Sequence, residues 1–322
     1  ILCYSYNMIL PKTLQEAVIF FADERNCQNL VIAMRWPDGK VVCPRCGSEN
    51  VSYLEKAKVF KCYANHEKAK FSLKVGTIFE DSALGLDKWL MAMWLLANCK
   101  NGISSYELSR SLGIMQKSAW HLNHRIRLAM QNGSIEKLSG EVESDSTFVG
   151  GRGGNMHHKA KIARGVNNHG GAAHMTEVTG VIERGGEVRA MVVPNSAAKT
   201  LRAIISEHIE KGSHVYTDQA KQYRGLSEDY IHWVINHTYE YVRENVHTNS
   251  IENFWSLLKR SIKGTYVSVA PEHLQAYVEE QAFRFNQRKH KDNDRGRFVA
   301  LLESISGKRL TYKELIGYET GH

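Results

Sequence analysis

Glu141-Val-Glu-Ser-Asp-Ser-Thr-Phe-Val149 is the stretch on which the fold turns. It reads as a β-strand that carries an aspartate, Asp145, in its interior. Outward from it, residues 175–182 and Val188–Val193 read as two more strands, joined by the turn Arg184-Gly-Gly-Glu. A helix over residues 199–209 follows, then strand His214–Asp218 and strand Ile231–Ile235. Long helices are expected to begin at Ser250 and Pro271.

Three antiparallel strands, a helix, a fourth strand and further helices match the order of a ribonuclease H-like fold. In that order the strands of Asp145 and Asp218 are central neighbours, which brings their carboxylates together. A third acid comes from Asn249-Ser-Ile-Glu-Asn-Phe-Trp-Ser-Leu-Leu-Lys259, where Ile251, Phe254, Trp255, Leu258 and Ile262 form a helical apolar stripe. Glu252 sits about 100° round from Ile251, at the stripe's edge, and Lys259 lies two turns on along its side. Three carboxylates suit two divalent cations roughly 3.5–4 Å apart. Oxygen ligands with open water positions favour Mg2+ or Mn2+ over zinc. Lys259 would contact DNA near the scissile phosphate. Taken singly, Asp218 is also a turn cap, Asp145 a strand-edge charge and Glu252 part of a solvated face. Asn249 stays open as the third ligand in place of Glu252.

Upstream, Val42-Cys-Pro-Arg-Cys-Gly47 is a zinc knuckle, with the glycine permitting the tight turn. Lys61-Cys-Tyr-Ala-Asn-His66 offers a second half-site, and tetrahedral zinc accepts the set Cys43, Cys46, Cys62 and His66. The fourth position, His66, stays open. A redox pair is the competing reading of Cys43 and Cys46, but no helix follows them to depress a thiol pKa. Cys3, Cys27 and Cys99 have no partner at ligand spacing and read as ordinary thiols.

Residues 71–79 alternate and predict a strand. Helical periodicity then runs over residues 86–130, in three helices with a glycine-containing turn at Gly113. The last two fit a helix-turn-helix whose third helix is the recognition helix. Arg110, Gln116, Lys117, Arg125 and Arg127 are its candidate DNA contacts, since no acid lies between Glu107 and Glu136. A solvated face on a structural bundle is the bland alternative. The stretch 150–171 is rich in glycine, basic and free of acid. It reads as a loop able to close on a phosphate backbone through Arg152, Lys159 and Lys161, or as a plain linker. The basic stretch 284–297 is a further backbone contact or simply a soluble helix end.

Composition agrees with an anionic partner. The chain's 322 residues carry 42 Lys+Arg against 34 Asp+Glu, a formal net charge of +8. With 43% hydrophobic residues and only 5 prolines, a disordered or collagen-like chain is excluded. The longest uncharged apolar run, residues 89–99, is too short to span a bilayer, which needs about 20 residues. The N-terminus lacks the order of a secretory leader, so a cytoplasmic, nucleoid-associated protein is expected. Because Met8 precedes the first helical pattern, residues 1–7 read as upstream read-through or a fragment edge.

With these residues the chain resembles bacterial insertion-sequence transposases of the DDE class, in the branch related to the eukaryotic Merlin elements. The matching stretches are Arg35-Trp-Pro-Asp-Gly with Cys-Pro-Arg-Cys-Gly, residues 71–82, Asn101-Gly-Ile-Ser-Ser-Tyr-Glu-Leu108, Asp145-Ser-Thr-Phe-Val-Gly-Gly151, Tyr216-Thr-Asp218 and residues 247–259. The resemblance implies an α+β, α/β multidomain chain. A zinc ribbon and helix-turn-helix come first, and a ribonuclease H-like mixed sheet flanked by helices follows. The expected divisions are a helical segment at 11–35, the ribbon at 36–82, DNA-binding helices at 83–133, the catalytic domain at 140–290 and a helical tail at 291–322. The implied activity is Mg2+-dependent cleavage and strand transfer at terminal inverted repeats and target DNA, by a homo-oligomer, with structural Zn2+ and no membrane. Two other readings compete: a DNA-binding regulator without catalysis, and a structure-specific nuclease on the same fold.

Overall fold

Two short helices open the chain, and each starts on a side-chain cap. The computed structural model describes residues 9–131, 133, 136–150, 175–195, 197–235 and 247–317. Helix α1 (Leu14–Ala22) begins where the Thr13 side chain accepts the Glu16 amide, and α2 (Glu24–Arg35) where Asp23 accepts that of Arg25. Strands β1 (Val51–Leu54), β2 (Val59–Cys62) and β3 (Lys70–Phe71) form an antiparallel sheet in that order. It has little apolar content: Phe60 stacks on Phe71 at 5.4 Å, with Tyr53 and Trp36 beside it.

Strand pairing stops at Phe71, so the strand expected over 71–79 is corrected to a short pairing followed by turns. The reason is where the carbonyls go. The Arg35 guanidinium donates to the carbonyls of Leu73 (2.6 Å) and Val75 (2.8 Å), and Gly76 turns the chain at φ +77°. Side chains therefore satisfy the backbone that a neighbouring strand would have taken. Ile78 and Phe79 are fully buried.

Helices α3 (Leu86–Asn98), α4 (Ser105–Leu112) and α5 (Gln116–Met130) follow. Helix α4 is capped by Ser104 and ends on Gly113 in the left-handed region, φ +62°. Helix α3 is buried on most sides through Trp89, Leu90, Met93, Trp94 and Leu96.

A second unit, residues 131–286, is built on one five-stranded sheet. Its elements are β4 (Glu141–Val149), β5 (Thr176–Glu183), β6 (Val188–Val193), α6 (Ala198–His208), β7 (His214–Asp218), β8 (Ile231–Ile235), α7 (Asn249–Ser261) and α8 (Leu274–Asn286). The strand order is β6-β5-β4-β7-β8; β4 runs antiparallel to β5 and parallel to β7, and β7 is parallel to β8. Leu201 and Ile205 of α6 pack with Val142, Val181 and Val215 on one face. On the other, Ile251, Phe254, Trp255 and Leu258 of α7 and Phe285 of α8 pack with Val178 and Ile182. Burying each such large side chain contributes roughly 1.5–3 kcal/mol. The expected stripe of α7 is the face that is buried.

The last helices, α9 (Asn293–Glu303) and α10 (Tyr312–Leu315), belong with residues 1–130 rather than forming a unit of their own. Phe298 packs 5.3 Å from Trp94 and 5.5 Å from Phe21, and Ser306 bridges to Thr77. Among the described residues, no helix is long and apolar enough to cross a membrane.

Two of the expected DNA contacts are corrected here. Arg125 is only 4% exposed and Arg127 only 1%. The Arg125 guanidinium donates to the Glu80 carbonyl and lies 5.0 Å above the Trp89 ring. Arg125 holds α5 to the turn region before the helices, and neither arginine is exposed to a ligand. Arg110 and Lys117 are exposed. Gln116 is half-buried and donates to the Ser105 hydroxyl at 2.9 Å. Lys117 sits 4.5 Å over the Tyr312 ring, and His121 meets the Leu310 carbonyl at 3.2 Å. The Arg125→Met variant should lose about 2 kcal/mol of stability, the scale of a hydrogen bond to a charged group. Its DNA binding should keep the parent's salt slope, while Lys117→Ala flattens that slope by about one charge equivalent. A flattened slope in stably folded Arg125→Met would return Arg125 to the DNA face.

Candidate active site and metal centres

The compact metal site lies in the first unit. The Cys43 carbonyl accepts the Gly47 amide at 2.8 Å, and Gly47 takes φ +74°, so the turn points Cys43 and Cys46 the same way. Strand β2 ends in Cys62, and the following turn returns His66. Among the described residues, only Cys43, Cys46, Cys62 and His66 bring all their ligand atoms within 4.8 Å of one another. Cys46 Sγ and Cys62 Sγ are 3.7 Å apart, and Cys43 Sγ and His66 Nε2 are 3.6 Å apart. Zinc bonds of about 2.3 Å to sulfur and 2.0–2.1 Å to nitrogen give tetrahedral edges of about 3.6–3.8 Å. These two edges match a tetrahedral zinc site, and the remaining donors lie within 4.8 Å. Burial alone would raise the Cys43 thiol, but the Arg45 and Cys46 amides and the neighbouring Cys46 and Cys62 sulfurs outweigh it and hold its pKa below the ordinary value.

Cys27 is a different kind of thiol. It is fully buried on α2, donates to the Phe21 carbonyl, and burial with nearby acids pushes its pKa up to about 12. Cys3 lies outside the described residues, as do Arg152, Lys159 and Lys161.

The second unit gathers the acids. Strands β4 and β7 pair through Glu141–His214, Val142–Val215 and Glu143–Tyr216. Two residues further in this register, Asp145 stands beside Asp218. Asp145 carries a raised pKa, from burial first and then from the charges of Asp218 and Glu252. The Ser146 amide and the Trp255 indole, which donates to Asp145 Oδ2 at 3.0 Å, oppose the shift. Asp218 Oδ1 accepts the Ala220 amide at 3.1 Å, so the residue is a turn cap as well as a candidate ligand. Glu252, in the first turn of α7, is exposed and accepts the Thr248 hydroxyl at 3.0 Å. Asn249 is the exposed first residue of that helix, and Lys259 is half-buried in its last turn. The three acids are more widely spread than the zinc set.

Sequence reading missed the residues that hold this arrangement. Glu143 is fully buried on β4, and its Oε2 accepts the amides of Ser250 (2.9 Å) and Ile251 (3.0 Å) at the start of α7. Its Oε1 accepts from Arg184 Nε at 2.9 Å and lies 3.4 Å from His247 Nδ1. Arg184 also donates to the His247 carbonyl at 2.7 Å and covers the Tyr216 ring at 3.9 Å. Gly180, opposite Asp145 in β5, leaves room for Trp255. A Cβ there would lie 2.8 Å from the indole. The available signal was Glu143's spacing, two residues before Asp145 and on the same strand face. Arg184 was legible only as a turn residue.

Comparison with known proteins accords with this geometry. Residues 137–286 match the ISXO2-like transposase domain, and residues 22–66 match a transposase zinc-ribbon domain. An uncharacterised protein in transposable element ISH50 of Halobacterium salinarum is 27% identical over 267 residues, covering 80% of this chain and 89% of that protein. An uncharacterised transposase-like protein of Haemophilus influenzae is 35% identical over 101 residues, covering 31% of this chain and 81% of its own length.

Two measurements test these centres. Cys43→Ser should lower zinc content from about one ion per chain towards zero and unfold the ribbon, because metal binding supplies its folding energy. Unchanged zinc content would refute the ligand set. Glu143→Gln removes the buried carboxylate charge that pairs with Arg184 Nε and leaves only the longer 3.5 Å pair with Glu141, and should cost about 3–5 kcal/mol by thermal or denaturant unfolding, at unchanged zinc content. A loss under about 1 kcal/mol would mean that the clasp does not hold α7 to the sheet.

Proposed function

Because this chain belongs to the ISXO2-like DDE transposases and carries their zinc ribbon, we propose that it cleaves the ends of an insertion sequence and joins them to target DNA in a Mg2+-dependent reaction. The observation that carries the reading is the register of β4 and β7, with Asp145 and Asp218 side by side and Glu252 presented from the helix above them. Three carboxylates are hard oxygen donors of the kind that Mg2+ takes. Asp145 already bears the negative potential of its two neighbours, so this donor set is short of positive charge. Asp145, Asp218 and Glu252 would hold the ions. Bound divalent cations supply activation of the attacking water or 3′-hydroxyl and charge neutralisation at the leaving oxygen.

The chain's own groups do the positioning. Trp255 fixes the Asp145 carboxylate through its indole N–H, and Gly180 gives that indole its place. Glu143 and Arg184 anchor the first turn of α7, which carries Glu252. Lys259, two turns along, adds a positive charge for the DNA backbone near the scissile phosphate. Zinc holds Cys43, Cys46, Cys62 and His66 as a rigid ribbon, and Arg110 and Lys117 offer exposed charge on the helices that follow. The partners are the terminal inverted repeats and the target duplex, engaged by an oligomer that holds both ends.

Replacing a carboxylate by its amide keeps shape and removes the charge that cations require. Asp145→Asn, Asp218→Asn and Glu252→Gln should bind end DNA like the parent, yet nick and join at least about 100-fold more slowly in Mg2+, as loss of an essential electrostatic group does. Lys259→Ala should weaken binding and retain part of the cleavage. Strand transfer is read beside nicking on the same oligonucleotides, and cleavage without joining would make the protein a nuclease. If Glu252→Gln cuts like the parent while Asn249→Ala is inactive, the third ligand is Asn249.

A further inference from the structure

Beside the acids, the sheet carries an aromatic surface that the reaction described above does not use. Among the described strands β8 is an outer one, and its Trp233 pairs with Tyr216 of β7. Trp233 is 42% exposed and Ile231 47% exposed, on the same face as Tyr216 and Asp218. Large apolar groups left in water at a sheet edge call for an occupant.

The rings are arranged for a flat one. The Trp233 indole N–H donates to His214 Nδ1 at 3.0 Å, and the two ring planes differ by 7° with centroids 6.3 Å apart. An indole N–H and an imidazole lone pair both lie in their ring planes, so this bond makes the rings coplanar, edge to edge. It also holds the His214 proton on Nε2, a donor at the rim of the surface. Tyr216 is within 13° of the Trp233 plane at 6.4 Å, and the Arg184 guanidinium lies over its ring. The result is a rigid π-surface of two coplanar rings, His214 and Trp233, backed on one side by the buried Tyr216 under its Arg184 cover. An aliphatic partner has no need of such a plane; a nucleobase does, because every base presents a π-face that stacks regardless of sequence.

Position favours the same occupant. Tyr216 and Asp218 are two residues apart on one strand, about 7 Å at the rise of a β-strand. That is one or two nucleotides along a DNA strand. We propose that His214 and Trp233 form a stacking platform for an unpaired nucleobase of the DNA strand held at Asp145 and Asp218. The inference rests on the reading of those acids as a DNA-cleaving site.

The test uses the full chain and two probes without added Mg2+: a blunt duplex, and the same duplex with a four-nucleotide single-stranded tail containing 2-aminopurine. The parent should bind the tailed duplex more tightly than the blunt one and quench the 2-aminopurine. Trp233→Ala should lose about 5- to 150-fold of that preference, the range of one base–aromatic stack, together with the quenching. Trp233→Phe should keep most of both, because it retains a ring. Asp218→Asn should keep the preference in the Mg2+-free binding assay while failing to nick in a parallel reaction with Mg2+ added, where the parent nicks, which separates the platform from the cleavage reading. Nicking by a parent that shows neither tail preference nor quenching overturns the platform alone. So does a folded Trp233→Ala that matches the parent on both probes. A change from oligomer to monomer in Trp233→Ala, with the tail effect intact, would make this surface a contact between copies instead.

Discussion

The Glu143 carboxylate is the joint of the second unit. A helix start exposes amides that have no partner inside the helix, and a negative group there satisfies them and meets the positive end of the helix dipole. Here that group comes from the sheet, 107 residues before the Ser250 amide that it accepts. Because Glu143 and Asp145 share one strand face, tying α7 to Glu143 sets the helix over Asp145. Its first turn carries Glu252, and the next carries Trp255, to the same place. A buried carboxylate costs several kcal/mol unless it is paired, and Arg184 supplies the pairing while also holding the His247 carbonyl. The geometry of the acids therefore depends on a residue that is not expected to touch DNA.

The zinc ribbon reaches order by another route. Its three short strands and the knuckle before them bury few side chains, chiefly Phe60, Phe71, Cys43 and Cys62. A sheet of that size is marginal in water, and the Cys43–Cys46–Cys62–His66 set makes up the difference through metal binding. The turn after β3 shows the same economy at the backbone level. Arg35 and Lys74 donate to carbonyls there, so the chain can leave the sheet and enter the helical core without unsatisfied groups.

The helices that follow show the limit of counting charges. A stretch with basic residues and no acid looks like a nucleic-acid surface, yet Arg125 and Arg127 of α5 are directed inward. Their long apolar stems make burial tolerable, and for Arg125 the Glu80 carbonyl and the Trp89 ring face receive the guanidinium. The chain's own C-terminal segment takes part of the remaining face of α5, where Tyr312 meets Lys117 and His121. Exposed positive charge on this part of the molecule comes down to residues such as Arg110 and Lys117.

Local pattern alone settled several features. The order of strands and helices over residues 141–286, the apolar stripe of α7 and the Cys-x-x-Cys turn are all short-range properties, written in spacings of two, three and four residues. So was the pairing of Asp145 with Asp218 as a candidate, since it follows from strand order once the fold class is chosen. Contacts between distant segments were not legible. Glu143 and Arg184 look like ordinary strand and turn charges until the sheet puts one under a helix start and the other across Tyr216. His66 is one histidine among fifteen until β2 and its turn bring it 3.6 Å from Cys43. The burial of Arg125, the end of β3 at Phe71 and the return of residues 287–317 to the first unit have the same origin. Each is decided by which distant partner satisfies a polar group or covers an apolar one, and only the tertiary structure makes that choice.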